Sequence, residues 1–283
     1  LEANPDSLNI NKIKGYKELG INRLSIGVQS FADDELKRLG RLHDGEEAEN
    51  IIKQVDNVFS NYNFDLIFAI PEQNYEEWKN NLNKVIEINP PHLSLYNLQI
   101  EKGTLINKKI KNGELNKVSQ KIDARMYKKA IKEVAKINLK QYEISNFAKK
   151  GYQSKHNLIY WEYKPYLGLG PASHSFTLKT RFYNTSSLKE YLNNINKNRY
   201  AIKEYNKLNL EERMAEKMIM GLRLMKGVSF QEFYKRFDIK LNEVYGKEIE
   251  ELISQNLLIK ENNRLKLTER GKLLGNKVFV KFI

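Results

Sequence analysis

The chain has 283 residues, 41% hydrophobic and 29% charged, with a formal net charge of +13 and no cysteine. This is the balance of a soluble globular chain long enough to bury a substantial core. It excludes disulfides and cysteine-ligated zinc or iron–sulfur sites within the chain, and no window approaches the roughly 18 apolar residues of a membrane span. Lysine outnumbers arginine and is spread along the whole sequence, so the positive charge reads as a solvated surface; no nucleic-acid partner is expected, while an anionic small molecule is compatible. No secretory signal opens the sequence, which leads to an expected cytoplasmic location.

Strand and helix signals alternate over the first hundred residues. Asn4 before Pro5 predicts a helix start, with the helix running to residue 19 and stopping at Gly20. A short strand is expected over 23–28. Asp44 and Glu47 have capping-box spacing, and Ala48, Ile51, Ile52, Val55, Val58 and Phe59 follow at helical period. Residues 64–70 read as a nearly continuous apolar strand closed by Pro71. Asn74 and Glu77 form a second capping box ahead of Trp78, Leu82, Val85 and Ile86, and residues 92–100 read as the next strand. Apolar strands each followed by a helix imply parallel pairing, an α/β class with helices on one face. About three or four strands are too few to close a barrel, so the sheet is either open or the later part of a barrel.

Further along, Ile122, Met126, Ala130, Val134 and Ile137 predict a helix over 118–137, and 141–147 reads as a strand. The glycine-rich stretch 166–176 reads as a buried strand or a close backbone approach. Helices are expected over 211–224, 229–237 and 243–255, then a hairpin of 257–259 with 264–267 across Asn262-Asn263, a winged-helix-like arrangement. The expected division is 1–105 as barrel wall, 106–200 as an α+β extension packed on it, and 201–283 as a mostly helical, winged-helix-like domain.

Ligands of parallel α/β sheets sit at the carboxyl ends of strands. Glu2 and Asn4 precede the first helix, Gln29 and Ser30 end the strand expected over 23–28, Arg41 lies in the following connection, and Asp65 lies inside an otherwise apolar strand, where an unpaired carboxylate is costly. Each has a plain structural alternative: Glu2 as a terminal charge, Arg41 as a helix-end cation, Asp65 as the partner of a lysine or a backbone amide. Together they form a coherent shell, in which a carboxylate holds an amine or ribose hydroxyl and an arginine grips a carboxylate.

These residues also carry a resemblance. Glu2-Ala3-Asn4-Pro5 is similar to E-x-N-P; residues 22–31 to N-R-x-S-x-G-V-Q-S-F; 39–43 to L-G-R-x-H; 65–71 to D-L-I-x-G-L-P; 156–161 to H-N-x-x-Y-W; and 167–175 to L-G-x-G-x-x-A-H-S. The ordered set covers essentially the whole chain and resembles the HemW heme chaperones, radical S-adenosylmethionine (SAM) proteins related to oxygen-independent coproporphyrinogen III oxidase. The resemblance implies a partial (β/α) barrel and a C-x-x-x-C-x-x-C loop whose [4Fe–4S] cluster binds SAM and delivers an electron to cleave it. With no cysteine, the chain is expected to lack the part carrying that loop, to hold no metal, and not to cleave SAM by itself.

By position the resemblance assigns SAM contacts to Glu2 (methionine amino group), Arg41 (its carboxylate), Gln29 and Asp65 (ribose hydroxyls) and Ile67. It implies heme as cargo, an acceptor protein and an electron donor as partners, and His156 as a heme ligand beside Tyr160 and Trp161. The other reading of His156 is a tie within the fold, as for His43, His92 and His174. Two departures stand out: Ala69 replaces a glycine, and Ser154 stands where relatives often carry cysteine. The alternatives to a heme chaperone are a coproporphyrinogen oxidase and a nucleic-acid binder using the C-terminal region.

Overall fold

Four parallel strands, β1 (Glu2–Ala3), β2 (Leu24–Gln29), β3 (Tyr62–Phe68) and β4 (His92–Asn97), run side by side at the start of the chain. The computed structural model describes residues 1–283, the side chain of Asn198 excepted, and the chain divides into two units, Leu1–Gln153 and Ser154–Ile283. In the first unit the sheet is completed by β5 (Lys140–Gln141) and β6 (Asn146–Ala148), with strand order β1-β2-β3-β4-β6-β5 and antiparallel pairing from β4 onward. The helices are α1 (Ile10–Glu18), α2 (Asp33–Arg38), α3 (Gly45–Asp56), α4 (Tyr75–Ile88), α5 (Leu105–Lys111) and α6 (Gln120–Ala135).

The alternation of side chains along β3 sorts the two faces of the sheet. Phe64, Leu66 and Phe68 are buried. The Phe68 ring packs 5.5 Å from Trp78 of α4 and 6.1 Å from Tyr127 of α6, and the Trp78 indole donates to the Met126 carbonyl at 3.0 Å. Asn63, Asp65 and Ile67 occupy the other face. Glu2 pairs with Ser25, Ser25 with Asn63, and Asp65 with Ser94, so a polar row crosses four strands on that face.

Both capping boxes form: the Asp44 carboxylate accepts from the Glu47 N–H and the Asn74 carbonyl from the Glu77 N–H, each reciprocated by the glutamate. The expected first helix is instead two pieces. Pro5–Ser7 makes one 3₁₀ turn, and α1 starts only after Asn9, whose side chain accepts from the Lys12 N–H. A second capping residue inside the predicted helix thus restarts it. The strand expected over 64–70 ends at Phe68, because Ala69 turns the backbone left-handed (φ 57°). The strand expected over 141–147 is two short strands around a turn, in which the Glu143 carboxylate accepts from the Ser145 N–H at 2.8 Å.

The second unit opens with α7 (Lys155–Trp161). An antiparallel sheet of β7 (His174–Phe176), β8 (Thr180–Asn184) and β9 (Ile202–Lys207) follows, with α8 (Leu188–Asn198) between its last two strands. The stretch 166–176 is a close approach at its start, where Leu167 and Leu169 are exposed and a Cβ on Gly168 would collide with the His174 carbonyl, and a strand only at its end, where Ser175 and Phe176 of β7 are buried. Then come α9 (Leu210–Arg223), β10 (Val228–Ser229), α10 (Phe230–Phe237), α11 (Leu241–Ser254), β11 (Leu258–Glu261) and β12 (Arg264–Leu267). The hairpin turns at Asn262 and Asn263, both left-handed, and β10 joins as a third strand; helices plus this small sheet make the winged-helix arrangement. Residues 106–200 are shared between the units: α6, β5 and β6 belong to the first, and α7, β7, β8 and α8 to the second.

Candidate functional site

Over the polar face of β1, β2 and β3 the first unit has a cavity of about 320 Å³ lined by Glu2, Ala3, Asn4, Ser25, Gly27, Gln29 and Asp65. Gln29 ends β2 with a left-handed backbone (φ 70°) at a register shift between Ile26 and Gln29, and its carboxamide lies over Gly27. A Cβ at Gly27 would come 2.7 Å from the Asn4 side chain and 2.9 Å from Gln29 Nε2, so glycine here keeps the cavity floor open.

The end of β2 is held from behind. The buried Glu35 carboxylate accepts from the Ser30 hydroxyl (2.5 Å), from Gln73 Nε2 (2.9 Å) and from Asn81 Nδ2 (3.0 Å). These bonds knot the β2 end to α2, α4 and the turn before α4. His43 Nε2 lies 3.0 Å from the Val28 carbonyl and pins the loop after α2 to the same strand end.

Beneath the cavity a polar network fills the inner face of the sheet. Asn63 Nδ2 donates to the Ser25 hydroxyl (2.6 Å) and to Asp65 Oδ1 (2.7 Å), and Asn63 Oδ1 lies 2.6 Å from His92 Nδ1. His92 Nε2 is 2.9 Å from the Tyr142 hydroxyl, and the Ser94 hydroxyl donates to Asn146 Oδ1 at 2.8 Å. Burial raises the Asp65 carboxyl above the ordinary carboxylate range against its hydrogen bonds from Ser94 and Asn63, and the Glu2 charge adds to the rise. Burial, with Arg23 nearby, holds the His92 imidazole well below its ordinary value. The cavity lining therefore carries two carboxylates and no cation. A positive group and hydroxyl donors would complement it.

The structure thus brings Glu2, Gln29 and Asp65 together, with Ser30 at the β2 end beside them. It does not place Arg41 in that lining; Arg41 is half-buried in the turn after α2, its N–H bonded to the Leu36 carbonyl. Ile67 lies two residues beyond Asp65 on the same face, in register with Tyr96. Ser25, Gly27, Asn63 and Ser94 were not singled out in the sequence as site residues, whereas His92 is the tie within the fold that was expected of it, bonded to Asn63 and Tyr142. The period-two alternation Asn63-Asp65-Ile67 inside an apolar strand could have found Asn63.

The donor set fits SAM in part: carboxylates and a carboxamide around a floor that a Cβ would fill suit an amine and ribose hydroxyls, whereas a ligand carboxylate finds no cation in the lining. It does not fit an iron–sulfur cluster. The chain has no cysteine, and among the described residues no group of three or more His, Asp or Glu side chains is placed to hold a metal ion.

In the second unit, α7 carries His156, Asn157, Tyr160 and Trp161. Ser154 caps it, accepting from the Asn157 N–H. His156 is exposed; its Nε2 is 2.8 Å from the Tyr160 hydroxyl, and the two rings meet edge to face at 5.0 Å. Tyr160 in turn meets Tyr166 edge to face at 4.6 Å, and the Arg223 guanidinium lies 4.5 Å from the centre of the Trp161 ring. The buried Trp161 Nε1 has no hydrogen-bond partner among the described residues. His174 stacks on Tyr183 at 5.2 Å.

Comparison with known proteins gives the following. Residues 1–85 match the radical SAM superfamily and residues 208–274 match the HemN C-terminal domain. The chain is 34% identical over 284 residues to the heme chaperone HemW of Bacillus subtilis (strain 168), covering 100% of this chain and 75% of that protein. It is also 34% identical over 284 residues to the heme chaperone HemW of Lactococcus lactis subsp. lactis (strain IL1403), covering 100% of this chain and 74% of that protein. Among solved structures it resembles coproporphyrinogen III oxidase (HemN) from Escherichia coli, a radical SAM enzyme, with a TM-score of 0.80 at 20% identity over 99% of this chain and 68% of that one.

Proposed function

From the premise that this chain belongs to the HemW heme chaperone family, we propose that it binds heme and hands it to an acceptor protein, on a scaffold that also binds SAM. The observation that carries the heme reading is α7. Its exposed His156 imidazole is bonded through Nε2 to the Tyr160 hydroxyl, which fixes the ring and leaves Nδ1 as the nitrogen for iron. Tyr160, Tyr166 and Trp161 supply aromatic surface for the porphyrin. The likeness to coproporphyrinogen III oxidase, at 20% identity, speaks to fold alone and supports no decarboxylation.

The cavity over the polar face of β1, β2 and β3 is the proposed SAM site. Glu2 takes the methionine ammonium, a cation that also relieves the repulsion between Glu2 and Asp65. Gln29 and Asp65 hold the ribose hydroxyls, Ile67 lends apolar contact, and Arg41, from outside the cavity lining, reaches the methionine carboxylate. SAM supplies a sulfonium whose carbon–sulfur bond can be cleaved by one-electron reduction. The residues present hold no cluster, so no electron-transfer step is assigned to them.

Hemin titration followed at the Soret band tests the heme reading. The wild-type chain should give a saturating band. His156→Ala should weaken binding at least about tenfold, the cost of a lost ligand bond, and Tyr160→Phe should shift the band by freeing the imidazole. Since His156 is exposed, its removal should change stability by no more than about 0.5 kcal/mol. An identical titration in wild type and His156→Ala would contradict the assignment.

A further inference from the structure

The second unit contains a cavity of about 670 Å³ that neither heme nor SAM uses in the reading above. It lies among α9, α10, β12, the turn before β10 and the segment after α7. Seven of its lining residues are lysine or arginine and two are glutamate. The two carboxylates are already engaged: Glu162 pairs with Lys226 at 2.5 Å and with Lys164, and Glu232 lies 3.7 Å from Arg264. Two guanidinium groups are fixed by neutral acceptors, Arg213 on the Leu178 carbonyl (2.9 Å) and Arg236 on the Tyr163 carbonyl (2.6 Å). These bonds aim the arginines without neutralising them.

Lys217 is the telling residue. It sits in the middle of α9, only 7% exposed, and its ammonium donates to the Glu162 main-chain carbonyl at 3.2 Å. Burial pushes its pKa down to about 8; the neighbouring charges of Arg236 and Lys226 push the same way, and Glu232 and Glu162 offset them in part. A buried cation flanked by other cations is costly unless an anion compensates it. We propose that this cavity is a binding site for a compact oligophosphate, a chain of two or three phosphates either free or borne by a nucleotide.

Other anions fit less well. Heme carries two carboxylates on a large apolar disc, but the large apolar side chains in the lining are Leu178 and Leu224, with no aromatic ring, and five positive charges in excess overshoot a dianion. A nucleic-acid backbone would find the outer lysines but not Lys217, which lies too deep for a phosphate of a strand crossing the surface. Dense negative charge in a small volume meets both the charge count and the depth. The proposal is independent of the heme reading, since it involves neither His156 nor the first unit.

Calorimetric titration of the whole chain with sodium tripolyphosphate at low salt is the test, with orthophosphate, ATP and a 20-base DNA strand as separate arms. Tripolyphosphate should bind more tightly than orthophosphate. ATP binding of similar strength points to a nucleotide source, and weaker ATP binding to a free oligophosphate. Lys217→Met and Lys226→Gln should each weaken tripolyphosphate at least about tenfold, the usual worth of a hydrogen bond from a charged donor. Lys217→Met should keep or raise the melting temperature, because it removes a buried charge; Lys226 is half exposed, so its variant keeps the fold in either case.

Between pH 7 and pH 9 wild-type affinity should fall more steeply than that of Lys217→Met. Over that interval Lys217 loses its proton; the charged groups that face it are Arg213, Arg236, Arg264, Lys164, Lys226, Lys235, Glu162 and Glu232, and all of them are shared by wild type and variant. Absence of tripolyphosphate binding below about 1 mM, about 4 kcal/mol, would overturn the proposal. So would equal affinity in wild type and both variants, or tighter binding of the DNA strand with loss in the same variants.

Discussion

Ala69 has a left-handed backbone, φ 57°, at the end of β3, where the related motif carries glycine. A Cβ there costs about 1 kcal/mol. Ala69→Gly should therefore raise stability by up to about 1 kcal/mol in urea denaturation, offset in part by the looser unfolded chain. Asp65 shows the opposite tension. Its raised pKa means that its charge is held against burial. Asp65→Asn keeps the Oδ1 acceptor for Asn63 and removes the charge, so the melting temperature should rise while SAM affinity, by equilibrium dialysis, falls at least about tenfold. Gln29 was legible in the sequence as a strand-end polar group, Glu2 as a carboxylate before the first helix and Asp65 as a carboxylate inside an apolar strand, and one cavity gathers all three. Arg41 was legible only as a charge near them. A loop residue's direction depends on how the loop is tied, here through His43 to Val28, and no spacing rule encodes that.

Elements with strong periodicity and paired caps were legible. α3 and α4 carry full capping boxes and buried stripes, and both lie where Asp44 and Asn74 announce them. Short elements were not. α2 and α7 have six and seven residues, too few for a clear amphipathic period, and β5 and β6 are merged in the sequence by the strand-like alternation of Tyr142 and Ile144 with polar residues. The restart of α1 at Asn9 shows that one capping residue can overrule an earlier one. Because α7 is short and carries His156, its cap matters. Ser154→Ala should cost about 1 kcal/mol of stability by thermal melt, and should weaken hemin binding by loosening the helix that presents the imidazole.

Across the whole molecule, the expected α/β sheet and the C-terminal winged-helix arrangement both form, and the contact boundary falls at residues 153 and 154. A single pass along the sequence could not place that boundary, because long-range pairing of β6 with β4 draws residues 140–148 into the first unit. The polar floor of that unit also sets a pH response. His92 binds its proton far less readily in the fold than in the unfolded chain, whose imidazole titrates near 6.5. Below about pH 6.5 the unfolded chain takes up the proton and the native one does not, so this contribution to stability is present above that pH and lost on acidification. Melting curves from pH 8 to pH 5 should show the loss, and His92→Gln should flatten it while lowering stability at pH 8 through the bonds to Asn63 and Tyr142.

The central claim is that heme iron is held on α7 by His156. Pulsed electron paramagnetic resonance of ferric heme bound to the chain carrying ¹⁵N-labelled histidine reads that bond directly. A strong imidazole ¹⁵N coupling is expected in the wild type and in His174→Ala, and its loss in His156→Ala. A coupling that persists in His156→Ala, or is absent from the wild type, would contradict it.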